Sequence, residues 1–294
     1  MSGNLNGKVA VVTGSGGTGI GNAIAKGMAA EGAKVVINDI GTLEDGRRAA
    51  DIAVDEIKKA KGEAVANYDS VATLAGGANL IKTAVDSFGR IDILVNCAGN
   101  FKVAPTVADF TEEDWDLTMN LHVKGYFGTI KAAVPVMKQQ STGGSIINFS
   151  SGAAFQTGGA SMFPGGPPFS FAAYGTAKAA VLGLTTNLAV ELKKFGINVN
   201  SILPSAVTPL FPGIRDRILG GPTGGPEDIV PVVVFLATDA AKEITGEFIY
   251  VCAGDFCIFP QPCDLPGGES RFIRKMGQWT VEELTEVLPP LLER

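Results

Sequence analysis

Tyr174 and Lys178 stand four residues apart in Tyr174-Gly175-Thr176-Ala177-Lys178, inside a segment with helical spacing. Residues four apart share one face of a helix, so the phenol and the ammonium are neighbours. A free tyrosine titrates near 10, too high for a base near neutral pH, and an adjacent cation favours the phenolate. The couple is suited to taking a hydroxyl proton while hydride leaves the carbon that bears it. Ser150-Ser151 follows a β-branched run, a position from which a hydroxyl can hydrogen-bond the substrate oxygen. The Tyr–Lys spacing alone recurs by chance, and without companions it describes a surface pair.

Companions exist at the other end of the chain. Thr13-Gly14-Ser15-Gly16-Gly17-Thr18-Gly19-Ile20-Gly21 contains G-x-G-x-x-G at 14, 16 and 19. It joins a strand-like run to a helical one, the context in which such a turn brings backbone close to a pyrophosphate and aims helix N–H groups at it. Gly14, Ser15, Thr18, Gly19, Ile20 and Gly21 are therefore candidate cofactor contacts. Asp39 ends the next strand-like run, 18 residues after Gly21. A carboxylate there accepts hydrogen bonds from ribose hydroxyls and repels a 2′-phosphate. No Arg or Lys lies within Ser15–Thr18, and Ile40 follows Asp39. NAD is favoured over NADP. The plainer alternatives are a tight turn and a solvated aspartate.

The elements that must hold these residues alternate. Strands are expected at Lys8–Thr13, Lys34–Asn38, Glu63–Asn67, Ile91–Asn96, Ser145–Phe149, Ile197–Leu203 and Phe248–Cys252. Helices are expected at Ile20–Glu31, Glu44–Lys61, Leu74–Phe88, from a Thr111 cap toward Gln139, at Ala172–Phe195 and near Glu227–Thr238. Such alternation gives parallel βαβ units with right-handed crossovers. The fold class is α/β: a single Rossmann-type doubly wound parallel sheet of about seven strands, with helices on both faces. Residues 1–258 form the NAD-binding domain, and 259–294 a C-terminal extension with a short helix capped by Thr280. Gly158–Ser170 breaks the rhythm and is loop.

Bulk properties narrow the function. The 294 residues are 46% hydrophobic and 18% charged, with a net charge of −6. That composition suits a buried core, and no basic run invites nucleic acid or an anionic membrane. No secretory leader or membrane span is evident, so a cytoplasmic protein is expected. Cys97, Cys252, Cys257 and Cys263 lack paired C-x-x-C spacing, and His122 is the sole histidine. No metal site is expected, and the thiols are read as free.

The chain resembles the short-chain dehydrogenase/reductase family over about residues 5–255. TGSGGTGIG, Asp39, Asp69-Ser70, NCAG at 96–99, Ser150-Ser151 and YGTAK at 174–178 occur in the family's order. The resemblance implies a homodimer or homotetramer. It implies Tyr174 as acid/base, Lys178 lowering its pKa and holding the nicotinamide ribose, and Ser151 polarising the substrate. It implies Asp69, with Ser70, at the adenine, and Asn96, Ala98 and Gly99 along the cofactor. VVINDIG (35–41), AVANYDSV (64–71) and FGRIDILVNCAG (88–99) are similar to the 3-hydroxyacyl-CoA dehydrogenase part of peroxisomal multifunctional enzyme type 2 and its bacterial relatives.

Four departures accompany the resemblance. The glycine loop has four residues between Gly14 and Gly19, one more than the family pattern. His122 aligns with the family's helix-kinking Asn, and is either a proton-relay residue or a structural histidine bonded to backbone. Ser151 and Tyr174 are 23 residues apart, the excess being the Gly158–Ser170 insertion, whose Met162, Phe163 and Phe169, with Phe171, are expected at the substrate rim. The family's Pro-Gly becomes Pro204-Ser205, leaving Pro204, Val207 and Thr208 as candidates for the nicotinamide amide.

The expected activity is interconversion of a secondary alcohol and a ketone with NAD, the substrate a 3-hydroxyacyl-CoA. Lys102, Arg215, Arg217, Arg271, Arg274 and Lys275 are candidates for the CoA phosphates. Alternatives are a hydroxysteroid or cyclic/terpene alcohol dehydrogenase, and a non-catalytic partner subunit with the same fold.

Overall fold

The structure, a computed structural model, describes residues 3–155, 169–210 and 223–259. The chain divides into two compact units, Met1–Phe259 and Pro260–Arg294, and all described residues belong to the first. Met162, Phe163, Arg215, Arg217, Cys263, Arg271, Arg274, Lys275 and the helix expected from Thr280 lie outside the described residues.

The element order is β1 (Val9–Thr13), α1 (Ile20–Ala30), β2 (Lys34–Asn38), α2 (Ala49–Lys59), β3 (Glu63–Asn67), α3 (Leu74–Phe88), β4 (Ile93–Asn96), α4 (Glu112–Met119), α5 (Gly125–Gln140), β5 (Gly144–Phe149), α6 (Ala172–Leu192), β6 (Ile197–Pro204), α7 (Val230–Leu236), β7 (Phe248–Cys252) and β8 (Asp255–Phe259). The central strands are runs of Val, Ile and Leu without polar alternation, which is what a sheet covered on both faces requires. Val9–Thr13 and Ile93–Asn96 are buried at every position. One apolar cluster joins α1, α2 and α7 to one face of the sheet, and a second joins α3, α5 and α6 to the other.

The sheet runs β3-β2-β1-β4-β5-β6-β7-β8. Strand order reverses between β1 and β4, so the loops that follow them part and leave a crevice at the carboxyl ends of the strands. The glycine loop leaves β1 there, and Cys97–Asn100 leaves β4.

One expectation is extended and two are corrected. All seven expected strands are present in one sheet, and β8 adds an eighth, folding back antiparallel on β7 through Ala253-Gly254. The helix expected from Glu44 begins at Ala49, since a Thr42–Arg48 bridge and Gly46 at φ 83° make a turn of the preceding residues. The long helix from Thr111 is not continuous. Thr111 does cap it, accepting from the Asp114 N–H at 3.1 Å. At Asn120–Lys124 the chain then makes a π-helical turn before α5 begins.

Candidate active site

The glycine loop is shaped by contacts on one side and open on the other. Gly14 has φ 65°, and a Cβ there would lie 2.7 Å from Ala98 Cα. A Cβ on Gly16 would meet Ala49 and Ala50 backbone at 2.7 Å, and one on Gly21 would meet the Gly14 carbonyl at 2.4 Å. Gly17 and Gly19 have nothing within 4 Å of that position. The first turn of α1 has no side-chain cap and no acidic residue, which leaves its N–H groups for an anion. This cradle fits a dinucleotide pyrophosphate. Ser15 lines it differently from the sequence reading. Its hydroxyl donates to the Val12 carbonyl at 2.7 Å and its N–H to the Asn38 carbonyl at 3.0 Å, so it braces β1 against β2.

Asp39 is held beside the loop. One carboxylate oxygen accepts from the Gly16 N–H at 2.9 Å and the other from the Gly41 N–H at 2.8 Å. A carboxylate has further lone pairs free for ribose hydroxyls. Asp69 accepts from the side-chain amides of Asn67 at 2.9 Å and Asn79 at 3.1 Å, and its carbonyl accepts from Asn38 at 2.9 Å. Ser70 follows, its carbonyl accepting from Thr73 Oγ1 at 3.2 Å.

The reacting residues converge at the ends of β4 and β5. Tyr174 and Lys178 are buried on α6. Tyr174 hydrogen-bonds the Ser151 side chain. Lys178 Nζ donates to the Phe149 carbonyl at 2.8 Å and lies 5.5 Å from the Tyr174 ring centroid. Ser150 turns away, donating to the Lys178 carbonyl at 2.8 Å and anchoring α6 to the end of β5. Burial shifts both groups. Burial raises Tyr174 to about 12, opposed by the Ser151 hydrogen bond. Burial lowers Lys178 to about 7, opposed by Cys97. Desolvation disfavours the charged form of each group.

His122 sits in the π-helical turn, buried, with its ring 5.6 Å from that of Tyr174 at 85°. Nε2 lies 3.2 Å from the Asn100 N–H and 3.1 Å from both Asn100 oxygens, so either tautomer has a partner on that side. Nδ1 has none, and neither has Asn100 Nδ2. Burial, followed by the charge of Lys178, lowers His122 to about 2, opposed by its Asn100 bond, and the ring is neutral at ordinary pH.

Several neighbours carry no signal in sequence. Tyr126 is buried on α5, and its hydroxyl donates between the Ala98 carbonyl at 3.2 Å and the Phe149 carbonyl at 3.3 Å, with Lys178 Nζ 5.6 Å from its ring. Asn96 bonds Asn148 at 3.0 Å and accepts from Thr129 at 2.7 Å, while Asn148 donates to Thr185 at 3.1 Å. That chain ties α5 and α6 to the two central strands, and it occupies the Asn96 side chain. Buried amides need such partners, but nothing in one sequence pairs them. Among the other candidates, Pro204 ends β6 and Thr208 is buried. Val207 is exposed, its N–H donating to the Gly224 carbonyl at 2.9 Å. Lys102 lies 3.1 Å from Asp114 in a partly exposed ion pair. No cluster of possible metal ligands occurs among the described residues.

Comparison with known proteins agrees with this geometry. Residues 15–255 match a family model described as Enoyl-(Acyl carrier protein) reductase. The chain is 39% identical over 253 residues to the peroxisomal multifunctional enzyme type 2 of Drosophila melanogaster, covering 85% of this chain and 39% of that protein. It therefore spans about two fifths of that relative's length. It is 36% identical over 263 residues to the (2S)-[(R)-hydroxy(phenyl)methyl]succinyl-CoA dehydrogenase subunit BbsD of Thauera aromatica, covering 85% of this chain and 97% of the relative. A crystal structure of a short chain dehydrogenase from Mycobacterium avium superimposes with a TM-score of 0.81 at 36% identity, over 99% of this chain and 96% of the other.

Proposed function

This chain belongs to the short-chain dehydrogenase/reductase family, and on that premise we propose that it interconverts a 3-hydroxyacyl-CoA and the corresponding ketone with NAD. The observation that carries the reading is the junction of Ser151, Tyr174 and Lys178 beside an open glycine cradle. NAD, when bound, supplies the acceptor for the hydride. Gly14 to Gly21 would hold its pyrophosphate, Asp39 the adenosine ribose, Asp69 with Ser70 the adenine, and Lys178 the nicotinamide ribose. Ala98, Gly99, Pro204, Val207 and Thr208 would complete the cofactor wall, with residues 1–258 as the NAD-binding unit and 259–294 as an extension.

The residues of the chain handle the proton. Ser151 holds the substrate oxygen against Tyr174, and Tyr174, once its own phenolic proton has passed toward Lys178, takes the hydroxyl proton. As a neutral phenol, Tyr174 gives that proton up in the reductive direction. Lys178, poised near neutrality, passes a proton onward more readily than an ordinary lysine does. His122 lies next in line, with Nδ1 as the point where a relay joins.

The acyl-CoA class draws on the name of the Thauera aromatica relative, a succinyl-CoA dehydrogenase subunit. Lys102 offers one ammonium for a phosphate. The free thiols of Cys97, Cys252 and Cys257 suit a reducing compartment such as the cytoplasm, and no helix among the described residues is long and apolar enough to cross a membrane. A homodimer or homotetramer is supported by an apolar depression between α5 and α6, lined by Val123, Phe127, Ala180, Gly183 and Leu184. Phe127, in that depression, is 46% exposed, and a contiguous exposed apolar patch marks an interaction site.

The test is a panel of 3-hydroxyacyl-CoAs, hydroxysteroids and cyclic alcohols assayed with NAD and with NADP. The expected result is fastest turnover of a hydroxyacyl-CoA with NAD. A preferred steroid or cyclic alcohol would overturn the substrate class, and no NAD binding at millimolar concentration would overturn the enzyme.

A further inference from the structure

His122 is gripped at one ring nitrogen and left bare at the other. Nε2 lies 3.1 Å from the Asn100 carbonyl oxygen, 3.1 Å from Asn100 Oδ1 and 3.2 Å from the Asn100 nitrogen, whose N–H points at it. One residue thus offers two acceptors and one donor to the same atom. A neutral imidazole carries its proton on one nitrogen, and the bond made by that nitrogen decides what the other presents. The ring is neutral here, because burial and then the charge of Lys178 oppose a second proton. The peptide donor and the peptide acceptor of Asn100 balance. Its side chain breaks the tie, since Oδ1 faces the ring and accepts from a proton on Nε2. Nδ1 is then a bare lone pair. Among the described residues Nδ1 has no hydrogen-bond partner, although His122 is only 1% exposed. A buried polar atom without a partner calls for a role, and this one stands on a ring 5.6 Å from that of Tyr174.

We propose that Asn100 is a positioning residue: its side-chain amide holds His122 in the Nε2–H tautomer, so that Nδ1 is a fixed hydrogen-bond acceptor beside Tyr174. The chemistry that follows is specific. A proton passing through an imidazole enters at one nitrogen and leaves from the other. Beyond Nε2 stand an amide and a peptide group, neither of which is a base. His122 therefore orients the end of a proton path by accepting a hydrogen bond at Nδ1, and carries no proton itself. This consequence rests on the dehydrogenase reading above and deepens it; the tautomer does not. The orientation of one amide is decisive, because turning it over would bring Nδ2 to Nε2 in place of Oδ1 and reverse the count of donors and acceptors.

The test is nitrogen NMR on the 15N-labelled full chain at neutral pH. His122 is the sole histidine, so its two ring nitrogens give the only imidazole signals, and their shifts distinguish a bare nitrogen from a protonated one. We expect Nδ1 bare and Nε2 protonated. In Asn100→Ala the ratio of that tautomer to the other falls by roughly fivefold, the worth of one ordinary hydrogen bond. Asn100→Asp, whose side chain offers acceptors only, restores it. Turnover follows the tautomer: kcat falls several-fold in Asn100→Ala and recovers in Asn100→Asp, while NAD affinity is unchanged in both. A bare Nε2 in the wild type, or the same tautomer ratio in Asn100→Ala, overturns the inference, and so does a kcat that ignores a shifted tautomer. The NMR arm needs no turnover. A protein that shows the expected tautomer and its dependence on Asn100, yet oxidises no alcohol, supports the role of Asn100 and overturns the dehydrogenase reading alone.

Discussion

The imidazole of His122 lies over the α-carbon of Gly99, so closely that a methyl group built there would come within 2.7 Å of Cε1. Gly99 is exposed and its backbone is unstrained, so contact with the ring is what excludes a side chain. The loop after β4 and the π-helical turn are thereby held in register, with Asn100 gripping Nε2 from the same loop.

Gly99→Ala therefore displaces the ring. Overpacking of this kind costs about 1–3 kcal/mol, and a thermal unfolding midpoint a few degrees lower is expected. Turnover should fall by about tenfold or more, because small misplacements near reacting groups are expensive. A variant as active and as stable as the wild type would show that the ring is not positioned by this contact.

Tyr174→Phe keeps the ring packing against Phe101, Phe171 and His122 and deletes the hydroxyl. Turnover should drop by roughly two orders of magnitude or more, the range of acid–base catalysis, while NAD binding measured by fluorescence titration persists. Retained turnover would remove Tyr174 from the chemistry.

Burial of Tyr174 and Lys178 makes stability depend on alkaline pH in a particular way. Lys178 is lowered to about 7, so between that pH and the usual lysine value near 10.4 the unfolded chain binds the extra proton. Stability then rises with pH across that window. Tyr174 is raised to about 12, so above the usual tyrosine value near 10 the unfolded chain loses a proton the native one keeps, and stability falls. Urea unfolding of the wild type should grow harder from neutral pH to about 10, and Lys178→Met should flatten that rise. An unchanged profile in the variant would assign the effect elsewhere.

Asp39→Ala removes the carboxylate that bridges Gly16 and Gly41. The ratio of kcat/KM for NAD over NADP should decrease by tenfold or more, since juxtaposed like charges cost several kcal/mol. A wild type that already prefers NADP contradicts the assignment of Asp39.

Phe127→Asp places a charge in the apolar depression between α5 and α6. Light scattering on the eluting protein should show a monomer where the wild type is a dimer or tetramer. A monomeric wild type would retire the interface.

The parts of the fold legible in sequence were those written locally. The Val- and Ile-rich runs, the Thr111–Asp114 cap and the strand–glycine–helix order each depend on residues a few positions apart. The parts that were not legible depend on distant partners. β8 escaped because Asp255–Phe259 is exposed and carries no alternation, and only β7 gives it a role. Ser15 and Asn96 sit in cofactor-like motifs, yet their side chains serve Val12 and Asn148. The protonation of Tyr174 and Lys178 could not be read from their spacing, because spacing brings the pair together but burial sets its charge. Phe101 left no mark at all, since the ring it meets, Tyr174, is remote from it in sequence.

The π-helical turn acts as a phase shift in the long helical arm. Gly125 N–H bonds back to Asn120, five residues earlier, so one residue more than an α-helical turn is lodged there. Everything beyond it is rotated by about 100° relative to a helix continued from α4. Tyr126 consequently turns inward beneath Lys178 while Phe127 turns out toward solvent. Deleting a single residue from Asn120–Lys124 would restore a regular helix, and in doing so would turn the buried stripe of α5 by about 100° away from the core. Here regularity is the lesion: the arm can be perfectly helical or correctly aimed, and this chain is built to be aimed.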